Sequence, residues 1–464
     1  MATSFKHLII GAGPTGLGAA YRLRELGESS VLVLEGADHV GGLATSFRDD
    51  KGFTWDIGGH VQFSHYQYFD ELMRKALGAE GWLHHQRESW AWMEERFVPY
   101  PVQNNIRYLS KPTMWKCLEG MVELYKNPGA KAPRDFHDWI LATFGRGFAD
   151  VFMLPYNFKV WAHPPAQMNY QWVGERVAVV DLQRVLGNVI HERDDLSWGP
   201  NNTFQFPKEG GTGAIWNSVA KLVGHEHIKL KTRVTRIDAK KKIAYTDKGE
   251  FQYEKLLNTM PLDRLVSIID GADPALKTAA SQLKRSTSHI VGIGMKGKPP
   301  EHLRTKCWMY FPEGNCPFYR TTVFSNYSPQ NVPSGGYWSL MTETSESTEK
   351  AVSRATLVED TVKGARATKL IPEGTEIVST WMYSAEYGYP TPSLERDKAL
   401  AAILPALDKL DVFSRGRFGA WKYEVSNQDH SCMQGVEWVN MVKLGIPELT
   451  LPFPNTANAN WGKR

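Results

Sequence analysis

The chain has 464 residues, 42% of them apolar and 22% charged, with a net charge of +4. At roughly 100–200 residues per domain, this length suggests two to four domains or one large composite one, and the composition excludes wholesale disorder. The charge is too small and too dispersed for a nucleic-acid surface, whereas 16 Trp, 18 Tyr and 20 Phe make an aromatic content of 12%, most of it core and a few positions free to face flat or polyhydroxylated ligands.

The first element, Lys6–Ile10, reads as an apolar strand, far short of an export signal or of a spanning helix of about 20 residues. Gly11-Ala12-Gly13-Pro14-Thr15-Gly16 follows and matches G-x-G-x-x-G; then come a helical stretch from Leu17 to Leu26, a stop at Gly27, and a second strand, Ser30–Leu34, ending at Glu35. Each residue type has a reason. Gly11 permits a tight turn, Gly13 lets the backbone approach a pyrophosphate, Gly16 allows close helix–strand packing, and the helix N-terminus offers N–H groups to the anion. Glu35, 19 residues beyond Gly16, stands where a ribose-binding carboxylate belongs. A dinucleotide site is the expectation, against a purely structural glycine turn.

Further glycine pairs favour FAD over NAD. Gly41-Gly42-Leu43-Ala44 resembles the second glycine pair of the large FAD-dependent superfamily that includes the amine oxidases, and Gly58-Gly59-His60 follows an alternating strand, Phe53–Asp56. Far downstream, Arg415–Trp421 resembles the segment that returns to the flavin in that superfamily.

Residues 106–192 read as mostly helical, with Phe136, Trp139, Ile140 and Phe144 on one face behind Pro133. Short strands return over 228–258, and from 287 to 385 β segments alternate with Pro/Gly/Asn clusters, the pattern of an antiparallel sheet. One register can be read directly: Tyr310 and Arg320 are equidistant from Asn315 in the turn Pro312–Pro317, so a symmetric hairpin sets them opposite each other. The expected fold class is α/β, a Rossmann-like FAD-binding domain with an inserted helical domain and an antiparallel β-sheet domain. The cofactor domain is expected to be discontinuous (1–75, 203–258 and 413–464), the helical substrate domain to span 106–192, and the β-sheet domain 76–105 with 259–412. The four cysteines form no C-x-x-C pair and the 14 His no metal-binding rhythm, so reduced thiols, no protein-bound metal and a cytoplasmic address are expected.

The segments Gly58–Tyr66, Val98–Asn105, Pro155–Ala162, Gly174–Val177, Cys316–Arg320, Gly388–Pro392 and Tyr423–Ser431 closely resemble the UDP-galactopyranose mutases of the eukaryotic, fungal-like type, and the likeness runs from residue 8 to about 452. Two features depart from that pattern: the link Gln330–Gly336 is shorter than in fungal members, and Ser384-Ala385-Glu386-Tyr387 differs beside Gly388.

The resemblance implies a redox-neutral isomerisation of UDP-galactopyranose and UDP-galactofuranose by reduced FAD, whose N5 attacks the anomeric carbon to give an iminium flavin–sugar intermediate. It implies NADPH or NADH as reductant and leaves a homo-oligomer possible. It assigns Arg176 and Arg320 to the diphosphate with the phenols Tyr310, Tyr389 and Tyr423, and His60 to the flavin face. Tyr100, Gln103, Phe152, Asn157 and Trp161 are implied around uridine, and Asn427 at the sugar or cofactor. Cofactor contacts are expected at Gly11, Gly13, Gly16, Glu35, Gly42, Leu43, Gly58, Gly59, Val234, Arg417, Asn427, Gln428 and Ser431, with His65, Arg87 and Trp308 farther out. The competing readings are an oxidoreductase of the amine-oxidase kind, a mutase of another UDP-hexopyranose, and a non-catalytic nucleotide binder.

Overall fold

The computed structural model describes residues 3–127, 132–196 and 202–459; the outermost residues of the expected cofactor domain, and 128–131 of the expected helical domain, lie outside that range. The first strand, Thr3–Ile10, is the centre of a seven-stranded sheet. It pairs in parallel with Val31–Leu34 and with Gly249–Asn258. Ile228–Lys229 and Val412–Ser414 extend the parallel part, and the ribbon Val234–Asp238 with Ile243–Thr246 joins antiparallel at one edge.

Strand alternation explains why both faces are covered. Ile9, Val31 and Val33 point to a core built with the helices Pro14–Glu25, Gln67–Leu77, Gly213–Val223 and Gln428–Leu444. Leu8, Ile10, Leu32 and Leu34 point to the opposite core, a period of two that buries both sides of a parallel sheet.

That second core corrects an expectation. Helices Leu262–Ile268, Pro274–Ser281 and Arg396–Asp408 fall inside the stretch read as β-sheet domain, yet Leu262, Leu265, Ile403 and Leu407 pack on the cofactor sheet. The Pro/Gly punctuation around them resembles hairpin turns, but their apolar residues recur at helical spacing.

A second seven-stranded sheet runs in the order Ile377–Pro390, Arg285–Lys296, Tyr337–Glu346, Arg320–Val323, Trp308–Tyr310, Ser89–Met93 and Arg96–Pro99. All neighbours are antiparallel except Trp308–Tyr310 beside Ser89–Met93. Tyr310 lies opposite Arg320, the register that the symmetric turn implies, and Arg320 lies opposite Glu343 on the next strand.

The third layer is helical: Lys111–Lys126, Phe136–Phe148, Leu154–Trp161 and Leu182–Ile190. Asp135 caps the second of these by accepting the Asp138 amide at 2.8 Å. The same side chains that close this layer's core, such as Phe148, Phe152 and Trp161, back onto Tyr310, Tyr389 and Tyr423. The three layers therefore meet at one place. Among the described residues, no helix is long and apolar enough to cross a membrane.

Candidate active site

At that junction lies a cavity of about 880 Å³. One end is the glycine-rich turn. Gly11 has φ +99°, and a Cβ on Gly16 would sit 1.9 Å from the Gly11 carbonyl oxygen, so helix and turn can touch only where a side chain is missing. Gly13 precedes the helix Pro14–Glu25 without any side-chain cap, which leaves the first N–H groups of the helix for a ligand. Glu35, which lines the cavity, accepts the amides of Ala12 and Ala37, each at 2.8 Å, and each oxygen retains acceptor capacity. Gly42, Leu43, Val234, Arg233 and Thr259 complete this end.

The middle is formed by Gly58, Gly59 and His60 against Asn427, Gln428 and Ser431. Gly58 has φ +96°, a left-handed conformation that suits glycine. Burial is the main force on the His60 ring and lowers its pKa to about 4; Arg417 and Arg320 act in the same direction and Glu343 opposes them. Its Nδ1 is buried without a hydrogen-bond partner. Asn427 begins the helix Gln428–Leu444 but its side chain makes no cap bond.

The far end carries the cations and phenols. Arg176, Arg320, Arg87 and Arg417 share it with Tyr100, Tyr310, Tyr389 and Tyr423. Arg176 donates to the Glu424 carbonyl at 2.5 Å and lies 5.6 Å over the Tyr423 ring, while its Nη1 is buried with no partner. Arg417 lies 4.9 Å over Tyr389 and donates to the Gly388 carbonyl at 2.9 Å; its neighbour Gly416 packs against Thr15 of the glycine-rich turn, where a Cβ would stand 2.3 Å from Thr15 Oγ1. The Tyr100 and Tyr310 rings lie 4.9 Å apart, tilted by 49° to each other, and Trp308 Nε1 donates to the Tyr310 oxygen. Burial raises the pKa of Tyr100, Tyr310 and Tyr423, which keeps these phenols protonated as hydrogen-bond donors.

Four residues expected around a base do not reach this cavity. Gln103 donates to the Ala178 carbonyl and Asn157 to the Met153 carbonyl at 2.7 Å, so both amides are engaged by backbone. Phe152 stacks on Tyr156 at 5.3 Å, and Trp161 is 1% exposed, edge-on to Tyr423 at 4.8 Å. They form the layer behind the phenols, engaged by local carbonyls and neighbouring rings, with Gln103 Oε1 buried without a hydrogen-bond partner.

Sequence reasoning missed Glu343. It accepts both Arg320 Nε and Nη2, at 2.7 and 2.8 Å, with the Tyr319 hydroxyl at 2.8 Å and the Gly59 amide at 3.0 Å. Burial pushes its pKa up, but Arg320 and these bonds outweigh burial and hold it below the ordinary carboxylate value. Its signal was present: an acid amid the Ser, Thr and apolar residues of a central strand is rare without a partner. The departing segment Ser384–Tyr387 also lines the cavity, with Ser384 hydrogen-bonded to His289 and Tyr387 to Asp263.

The chain matches the family described as flavin containing amine oxidoreductase over residues 14–366. Its structure superposes on a crystal structure of reduced UDP-galactopyranose mutase with a TM-score of 0.96 and 47% sequence identity, covering 99% of this chain and 98% of that one. It is 27% identical to the flavin-containing amine oxidase A of Equus caballus over half of this chain, a match that spans 45% of that relative's length. A putrescine oxidase with putrescine bound shares the fold at 16% identity and a TM-score of 0.63, covering 95% of this chain and 99% of that one.

Proposed function

We propose, from the premise that the chain belongs to the family of flavin-containing amine oxidoreductases, that it interconverts UDP-galactopyranose and UDP-galactofuranose without net redox change, as a mutase of the eukaryotic, fungal-like type. The observation that carries this reading is the set of Arg176 and Arg320 with Tyr310, Tyr389 and Tyr423 in the wall of the same cavity that the glycine-rich turn lines. Guanidinium forks and neutral phenols suit a diphosphate, and the same cations would repel the ammonium of an amine substrate. The likeness to a UDP-galactopyranose mutase over nearly the whole of both chains supports the same choice.

The cofactor end fits FAD. Gly11, Gly13 and Gly42 leave room for a pyrophosphate, Glu35 faces the ribose, and Val234, Gln428 and Ser431 line the path toward the Gly58–His60 turn. When bound and reduced, FAD supplies the nucleophile for the anomeric carbon. Everything else falls to side chains. Arg176 and Arg320 hold the diphosphate as it leaves and returns, each charged hydrogen bond contributing roughly 1.5–3 kcal/mol. The phenols donate to phosphate oxygens without adding net charge. His60, uncharged at neutral pH, covers the flavin face without placing a second cation there. Tyr100 and Asn427 form the nucleotide and sugar wall, with Gln103, Phe152, Asn157 and Trp161 supporting it from behind. A reduced nicotinamide as electron donor, a homo-oligomer and a cytoplasmic setting complete the proposal.

Replacing Arg320 by Ala tests the assignment. We expect turnover to fall on the order of 10²–10³ while the protein still purifies with stoichiometric FAD. Turnover within about threefold of wild type, or a folded protein without FAD, contradicts the role given to Arg320.

A further inference from the structure

Glu343 lies in the middle of the second sheet, 2% exposed, and its four hydrogen bonds divide between two parts of the cavity wall. Two come from Arg320 and one from the amide of Gly59, on the turn that carries His60; the fourth comes from Tyr319, just ahead of the strand that bears Arg320. A guanidinium has five N–H donors. With Nε and one Nη2 hydrogen spent on Glu343, Arg320 keeps its remaining donors for an anion in the cavity that it lines. The turn is seated just as closely. A Cβ on Gly59 would stand 2.8 Å from Thr322 Oγ1 and 3.4 Å from Glu343 Oε1, so the absence of a side chain lets the turn rest directly on the strand that bears Arg320. A carboxylate this deeply buried is tolerated only while such donors surround it.

Resting on the reading above, we propose that Glu343 is a positioning residue that joins the Arg320 guanidinium and the Gly58–His60 turn into one unit, so that an anion bound by Arg320 is felt at the turn facing the flavin. Coupling of this kind is reciprocal: whatever the anion does to the turn, the turn does to anion affinity.

The test uses the full-length, FAD-loaded protein and UDP as probe. Its dissociation constant is measured by calorimetry for wild type, Glu343→Gln, Arg320→Ala and the double variant, together with the flavin difference spectrum that UDP induces. Glutamine matches glutamate in shape but turns an NH₂ group toward at least one of the existing donors. We expect Glu343→Gln alone to weaken UDP by roughly tenfold or more, to add less than about twofold in the Arg320→Ala background, and to diminish the UDP-induced flavin spectrum. If Glu343→Gln gives no folded holoprotein, Glu343→Asp, which keeps the charge but draws it back by one methylene, replaces it in the same cycle.

Wild-type affinity in the single variant, an equal loss in both backgrounds, or an unchanged flavin spectrum overturns the coupling. A wild-type protein that binds no UDP overturns the functional reading itself, and with it the coupling that rests on it.

Discussion

At the scale of single residues, protonation states divide the site into donors and a silent ring. The phenols stay protonated because burial disfavours phenolate, and His60 stays neutral because burial disfavours imidazolium. In the folded holoprotein the His60 ring should therefore titrate near pH 4, as read from its ring-proton NMR signal; a midpoint near the ordinary 6.5 would contradict the burial argument. The stability consequence has a definite sign. Between about 6.5 and 4 the unfolded chain binds a proton that folded His60 refuses, so this contribution is present above 6.5 and lost as pH falls through that window.

How much of this scale was legible in the sequence depended on spacing. Tyr310 opposite Arg320 could be read because the turn between them is symmetric in sequence. The pairing of Glu343 has no such local cue: an acid on a strand signals that a partner is needed, but that partner lies 23 positions away on a neighbouring strand. The four residues behind the phenols were drawn in because a chemical type suited to a base says nothing about which neighbour satisfies it first.

At the scale of elements, the glycine-rich start is the best-determined part. The strand Thr3–Ile10, the turn and the helix Pro14–Glu25 can close only if position 16 has no side chain, since a methyl there would lie 1.9 Å from the Gly11 carbonyl oxygen. Gly16→Ala should therefore yield a protein that purifies with little or none of the yellow flavin absorbance. A variant as yellow as wild type would show that the turn can shift without losing the cofactor. This element was legible because strand, turn, helix and acid all lie within 35 residues and each step has a local cause. Helices at 262–281 and 396–408 were not, because what decides their partner is a sheet assembled from distant segments, and no local pattern names the surface on which an apolar stripe will land.

At the scale of the whole molecule, two seven-stranded sheets and a helical layer each bring one ingredient to a single cavity. The parallel sheet contributes the glycine-rich turn, the antiparallel sheet Arg320 with Tyr310 and Tyr389, and the helical layer Arg176 with the aromatic backing. The fold alone does not choose between isomerisation and oxidation, since function lives in the site; a putrescine oxidase shares the architecture. The high aromatic content of the chain finds its use here, because most of those rings are core and a few phenols become neutral donors beside two arginines. The most direct measurement of the central claim is incubation of the yellow protein with UDP-galactofuranose, with and without dithionite, following the pyranose product and oxygen consumption together. The account predicts UDP-galactopyranose only under reducing conditions and without stoichiometric oxygen uptake; oxygen uptake with an amine substrate, and no isomerisation in either state, would contradict it.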